Sequence, residues 1–190
     1  RELAIRPCRY TDLRDGLPGI ATNLLAERLR HLDEHGVIIR TEEPPPIAAP
    51  VYRLSPSGEA LVPVVHALTR WAAPLVYAGQ GDDEFRGRWL VLAAASMYEG
   101  MDVSDIEPLV VQITTDDEPV TITVDADGVV TALGSASTTS VDIRADPLTA
   151  IELLSGATSV AAARAAGATI TASTSALRRF RALAARVQAG

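Results

Sequence analysis

Apolar positions in residues 22–33 recur at helical spacing. On a helix turning about 100° per residue, Leu24, Leu25, Leu29 and Leu32 fall on one side, with Asn23, Ala26, Glu27 and Arg30 on the other. The spacing predicts a helix from Thr22 to Asp33 with one face to bury and one polar face to present. Gly36 follows where a left-handed residue ends a helix, and His31 and His35 sit in the last turn, where the dipole favours positive charge. Val37, Ile38 and Ile39 then begin a strand running to Thr41, a proline-rich loop spans Glu42 to Pro50, and Val51 to Leu54 make a second strand. Upstream, Arg9 to Arg14 starts a short helix that the Leu17-Pro18-Gly19-Ile20 turn terminates. Downstream, Ser55-Pro56-Ser57-Gly58 caps a long helix expected from Glu59 to about Tyr77. The predicted order is helix, tight turn, helix, two strands around a loop, helix.

Tyr77 to Asp83 is a polar, glycine-containing turn, after which Asp82 or Asp83 would cap a helix from Glu84 to about Glu99. Its apolar residues Trp89, Leu90, Leu92, Ala93 and Met97 predict burial on more than one side, suited to a dimer interface or a junction between domains. From Leu109 the period changes to two. Val111 and Ile113, then Val120, Ile122 and Val124, then Val129, Val130 and Leu133, then Val141 and Ile143 alternate with Thr, Asp and Ser, which predicts four strands. Asp127-Gly128 is a tight-turn signal between the second and third. Asp146-Pro147 opens a helix through Leu154 to Gly156, Ser159 to Ala166 a smaller one, Ala168 to Ala172 a fifth strand, and Ser175 to Val187 a last helix. Strands followed by helices give an α+β domain. Three segments are expected: residues 1–78, a connecting and dimerising helix at 79–104, and residues 105–190.

Charge qualifies this picture. The net charge of −7 speaks against bulk attraction to nucleic acid, but it is unevenly spread. Residues 1–58 carry eight Arg and eight Asp or Glu, whereas residues 59–190 carry nine and sixteen. The first part must bind an anion by local placement of arginines, and a two-fold dimer would sum two modest half-site affinities. Hydrophobic content of 47% without a long uninterrupted apolar run argues for a soluble protein. The single cysteine, Cys8, excludes an intrachain disulfide and fits a reducing cytoplasm; inertness is its simpler reading, redox sensing the alternative.

The polar face of the Thr22 helix offers side chains of base-reading chemistry. Asn pairs bidentately with adenine and Arg with guanine in the major groove, and Ala26 leaves room for close approach. The same pattern also fits a surface helix whose outer face is merely solvated. The neighbouring elements favour the first reading. RYTDL (Arg9 to Leu13), LPGI (Leu17 to Ile20), LLAERLRHLDEHGVI (Leu24 to Ile38), VYRLSPSGEALVPV (Val51 to Val64) and Leu68 with Trp71 resemble the winged helix-turn-helix regulators of the HxlR family over about the first 75 residues. That family has further helical sequence before this point, so RELAI is expected to be the tail of a longer helix. The resemblance implies that Asn23, Ala26 and Arg30, with Thr22 beside them, read bases, and that Arg9, Tyr10, Arg14, Arg40 and Arg53 hold phosphates. Glu42 and Glu43, with no Arg or Lys before Pro50, make the wing loop acidic and leave Arg40 and Arg53 at its base as the contact candidates.

The second half resembles the sterol carrier protein 2-like domain in VTITVDADGVV, VDIRADPLTAIELLSG and ATITASTSALRRFRALAARV. This implies an apolar cavity between sheet and helices holding a hydrophobic small molecule, with Trp89, Met97, Val111, Ile122, Ile143, Ile151 and Leu154 as lining candidates. Ala-rich helices against a Val- and Thr-rich sheet, with two Phe in the whole chain, are compatible with unfilled space, or with simple close packing. No metal-protease motif, phosphate loop or nucleophile elbow is present, and the acids Asp116, Asp117 and Glu118 read as a solvated turn. His31 and His35 read as serving the helix end rather than as metal ligands. The expectation is a cytoplasmic homodimeric transcription regulator without catalytic residues, metal or cofactor, binding double-stranded operator DNA and an apolar effector, with no membrane association. The alternative is a lipid or small-molecule carrier whose winged helix mediates protein contacts.

Overall fold

The fold is that of a computed structural model, which describes residues 1–42, 49–77, 86–115 and 118–189. The chain divides into two compact units, Arg1–Val65 and His66–Gly190.

The first unit runs α1 (Glu2–Ile5), β1 (Cys8–Arg9), α2 (Tyr10–Asp15), α3 (Thr22–Glu34), β2 (Ile38–Glu42), β3 (Pro50–Leu54) and α4 (Pro56–Glu59). The expected wing is present, with β2 and β3 antiparallel from Ile38↔Leu54 to Glu42↔Pro50. The sheet has a third strand that sequence patterning does not announce: β1 pairs Cys8↔Tyr52 and Arg9↔Val51, so β3 is central. The core gathers Cys8, Leu13, Leu25, Leu29 and Ile38, with Leu3, Tyr10, Val37 and Leu54 packed against it. The leucine face of α3 is narrower than its periodicity predicts. Leu25 and Leu29 are buried, but Leu24 and Leu32 are each 40% exposed, because the short elements around α3 cover only the strip holding the i, i+4 pair.

Helix α3 ends as expected. Gly36 takes φ 66°, its amide donates to the Asp33 carbonyl at 2.9 Å, and the Val37 amide donates to the Leu32 carbonyl at 2.9 Å. This paired arrangement satisfies carbonyls the helix itself leaves open and turns the chain into β2. The long helix expected from Glu59 is instead two. After α4 the chain bends at Ala60 and Leu61, and α5 (Val62–Tyr77) begins anew. Pro63 explains the break: it has no N–H to continue the ladder from Glu59, yet fits the first turn of a new helix.

In the second unit a short 3-10 turn (Gly87–Trp89) leads into α6 (Leu90–Tyr98), so the helix is shorter than expected, and the caps proposed at Asp82 or Asp83 lie outside the described residues. Then follow β4 (Leu109–Thr114), β5 (Val120–Asp125), β6 (Gly128–Leu133), β7 (Val141–Arg144), α7 (Pro147–Ser155), α8 (Val160–Ala165), β8 (Thr169–Ala172) and α9 (Thr174–Ala189). The five strands order as β6-β5-β4-β7-β8, antiparallel except for the parallel β4–β7 pair. The predicted alternation holds in β4 and β5, with Leu109, Val111, Ile113, Val120, Ile122 and Val124 buried and the residues between them half-exposed, but not in β6, where no residue is fully buried and Val130 is 62% exposed, as befits an edge strand. The hairpin turn sits one residue earlier than expected. Asp125 pairs with Gly128, and the Asp127 amide donates to the Asp125 carboxylate at 2.9 Å.

Helix α6 packs on β5 and β6, α9 on β4 and β7, and α7 against both α6 and α9. Helix α7 illustrates how such a helix is held. The Asp146 carboxylate accepts from the Thr149 amide at 3.0 Å, and Pro147 fills the first position. At the other end the last carbonyls all find donors: the Gly156 amide to Leu153, the Tyr98 hydroxyl to Leu154 at 2.9 Å, and the Gln188 amide to Ser155 at 2.7 Å. Burial pushes the Tyr98 hydroxyl far above its ordinary value and keeps it a donor. The protein is thus α+β, with an N-terminal winged helix-turn-helix and a C-terminal, mostly antiparallel five-stranded sheet carrying helices. Among the described residues, no helix is long and apolar enough to cross a membrane.

Candidate nucleic-acid interface

The junction between wing and helices fixes α3 from behind. Ser55 caps α4 by accepting from the Gly58 amide at 3.1 Å, and its own hydroxyl donates to the Gly36 carbonyl. The Ser55 amide donates to the Val37 carbonyl at 3.0 Å. Gly58 sits directly over that carbonyl, where any side chain would collide with it. The sequence Ser-Pro-Ser-Gly is therefore a cap, a helix-starting proline and a close approach in four residues.

At the opposite end of α3, the Tyr10 hydroxyl donates to the Thr22 carbonyl at 2.8 Å, tying α2 to the first turn. Tyr10 was expected at a phosphate. Its proton is committed within the protein, so the geometry makes it a residue that positions α3. The N-cap of α3 is Ala21, which has no side-chain acceptor, and the first turn carries no acid. Its leading amides are left for an outside acceptor.

With Leu25 and Leu29 at 3% and 5% exposure, the outward face is set: Thr22, Asn23, Ala26, Glu27 and Arg30 are all exposed. Asn23, Ala26 and Arg30 come together as expected. Arg30 is engaged by an acid one turn on, its guanidinium 2.6 Å from the Glu34 carboxylate. An exposed pair of this kind contributes little to stability and yields readily to a stronger acceptor. Among the arginines expected at phosphates, Arg9 and Arg53 are exposed; Arg14 lies 3.2 Å from Asp15 and Arg40 3.8 Å from Glu42. Arg28, also exposed on α3, was not singled out from the sequence; two residues before Arg30, it lies about 160° around the helix from it. Glu43 lies outside the described residues. At the end of α3, His35 Nδ1 lies 2.7 Å from the His31 carbonyl.

Residues 1–79 match the family described as HxlR-like helix-turn-helix. This segment is 31% identical over 64 residues to YvaP, an uncharacterized HTH-type transcriptional regulator of Bacillus subtilis (strain 168), covering 34% of this chain and 59% of that protein. It is 30% identical over 66 residues to the HTH-type transcriptional regulator YodB of the same organism, covering 35% and 59%. The chain thus spans 59% of the length of these curated relatives. Among solved structures, the reduced form of YodB from B. subtilis aligns with TM-score 0.33 and 28% identity over 39% of this chain and 72% of that one. A UbiJ-SCP2 ubiquinone synthesis protein aligns with TM-score 0.43 and 11% identity over 57% and 98%.

Within the first unit Cys8 is a core residue. It is 4% exposed, its thiol donates to the Arg6 carbonyl at 3.3 Å, and burial pushes the thiol up, all of which oppose thiolate chemistry. The lining candidates of the second unit are mostly interior. Val111, Ile122, Ile143 and Leu154 are fully buried, Ile151 is 5% exposed, and Trp89 and Met97 are half-buried. Val111 and Ile122 are cross-strand neighbours, and Ile143 lies on the same face of the sheet. One polar cluster that the sequence did not suggest joins α5 to the end of α6. The Glu99 carboxylate accepts from Arg70 at 2.7 Å and lies 3.1 Å from His66 Nδ1, and Arg70 also donates to the Ser96 carbonyl at 3.0 Å. These hydrogen bonds, Arg70's foremost, hold Glu99 below the ordinary carboxylate range.

Proposed function

We propose that this protein is a cytoplasmic transcription regulator that binds operator DNA as a homodimer through α3 and senses an apolar small molecule in its C-terminal unit. One observation carries the DNA-binding reading: in an HxlR-like domain, Asn23, Ala26 and Arg30 share the exposed face of a helix anchored by Leu25 and Leu29. Asn23 and Arg30 read base edges, Thr22 and the open first-turn amides of α3 lie beside them, and Arg9, Arg14, Arg40 and Arg53 contact phosphates. Tyr10 acts through the backbone it holds. A gel-shift titration tests this: Asn23→Ala combined with Arg30→Ala is expected to weaken specific operator binding about 100-fold, with binding to unrelated DNA little changed. Unaltered specific affinity would remove α3 from the groove.

Two features support the remaining parts. Val64, Leu68 and Trp71 recur at helical spacing on α5 with 53%, 59% and 73% exposure, an apolar stripe of the kind a second copy covers. In the second unit, Val111, Ile122 and Ile143 share a buried sheet face, and α6 and α9 pack on the strands, so an apolar effector would enter by parting helices from the sheet. The Glu99 cluster, linking α5 to α6, lies on the path by which effector binding would respace two recognition helices. Native mass spectrometry of the whole chain reads both claims. A dimer mass that Trp71→Glu converts to monomer, and a copurified apolar adduct, are expected; a monomer with no adduct would sink the dimer and the sensor together. The acidic Glu42 in the wing favours a second reading, a small-molecule carrier using its winged helix for protein contacts, which predicts an adduct without DNA binding.

A further inference from the structure

Glu27 is an exposed acid at the centre of the outward side of α3. It lies two residues from Leu25 and two from Leu29, about 200° around the helix from each, and so points directly away from the buried strip. Asn23 is one turn before it and Arg30 nearly one turn after it, about 40° and 60° to one side. Along the helix axis Glu27 lies between Asn23 and Arg30, so an approach that brings both to base edges carries Glu27 to the groove edge beside them. The adjacent cation is engaged elsewhere, because Arg30 bonds Glu34, and Glu27 has no ion-pair or hydrogen-bond partner among the described residues.

A carboxylate pressed between phosphates and stripped of water is strongly unfavourable unless a donor meets it. The major groove offers such donors only as the exocyclic amines of cytosine and adenine, while guanine and thymine present acceptors at the corresponding edge. Asn matches adenine and Arg guanine, which leaves cytosine as the base a carboxylate is suited to select. We propose that Glu27 is a specificity-determining residue that accepts from the N4 amine of a cytosine, at the base pair lying between those faced by Asn23 and Arg30. This rests on the DNA-binding reading above. Glu27 lowers affinity for every sequence through its charge and restores it only where the amine is in place, so it acts as a filter against wrong sites.

Selection from a randomised duplex library with the full chain, at one fixed salt concentration, tests the assignment. The wild-type protein is expected to enrich cytosine at one internal position of each half-site, by about 5- to 100-fold over guanine or thymine. Glu27→Ala should erase the preference at that position alone and raise binding to unrelated DNA. Glu27→Gln should move the same position towards adenine, whose edge glutamine matches bidentately. If both variants enrich the wild-type sequence and merely bind all DNA more tightly, Glu27 is a repulsive surface charge and the proposal fails. If the wild-type protein enriches no sequence at all, the DNA-binding reading falls and takes this assignment with it.

Discussion

Gly58→Ala is expected to cost the winged-helix unit more than about 3 kcal/mol, enough to leave much of it unfolded. The methyl group would collide with the Val37 carbonyl oxygen and press against a Leu54 methyl at 3.1 Å. Neither neighbour can give way cheaply. The Val37 carbonyl already accepts from the Ser55 amide, and the preceding carbonyl, of Gly36, accepts from the Ser55 hydroxyl. Moving this peptide would therefore break the cap of α4, the turn that ends α3 and the first pair of the wing, Ile38↔Leu54, together. Hydrogen exchange of the whole chain checks the result: amides of β2 and β3 should lose protection while those of β4 and β5 keep theirs. Full protection of β2 and β3 in the variant would show that the junction has slack that this geometry denies.

The same junction marks where the sequence could be read and where it could not. Gly36 after a leucine-spaced helix, and Asp146-Pro147 ten residues before Gly156, were legible because a helix end is satisfied by residues within one turn of it. The alternation of β4, β5 and β7 was legible because a sheet with one buried face imposes a period of two. Strand β1 was not, since two residues carry no period and Cys8 and Arg9 become a strand only by meeting Val51 and Tyr52, far along the chain. Exposure of Leu24 and Leu32 was hidden for a related reason: periodicity gives the direction of a helix face, whereas its covered width depends on which neighbours arrive. The outward set of Asn23, Ala26 and Arg30 followed from periodicity alone, but Tyr10's bond to Thr22 and Arg30's to Glu34 required coordinates. The ties of His66 and Arg70 to Glu99 span about thirty residues and leave no local mark.

Phe180→Ala should lower the stability of the second unit by about 3–5 kcal/mol, the loss of a large buried side chain plus the cavity it leaves. Phe180 is 1% exposed on α9, in a stripe with Ala176, Leu183 and Ala184, and α9 packs on β4, β7 and α7. Two of its three stripe partners are alanines, whose short side chains cannot reach into the vacated volume. The facing strand residues Val111, Ile113, Val141 and Ile143 are β-branched and held in register by pairing on both sides, so they cannot lean into it either. Little collapse is possible, which places the loss towards the upper end of the range. Denaturant unfolding followed by hydrogen exchange in β4 and β7 measures it. The magnitude also bears on the apolar-effector reading. A loss under about 2 kcal/mol would mean that Phe180 lacks close neighbours, as in an interior already standing open for a ligand. A loss of the full amount means that sheet and helices are closed on one another, and that an effector reaches Val111, Ile122 and Ile143 only by separating α9 or α6 from the strands they cover.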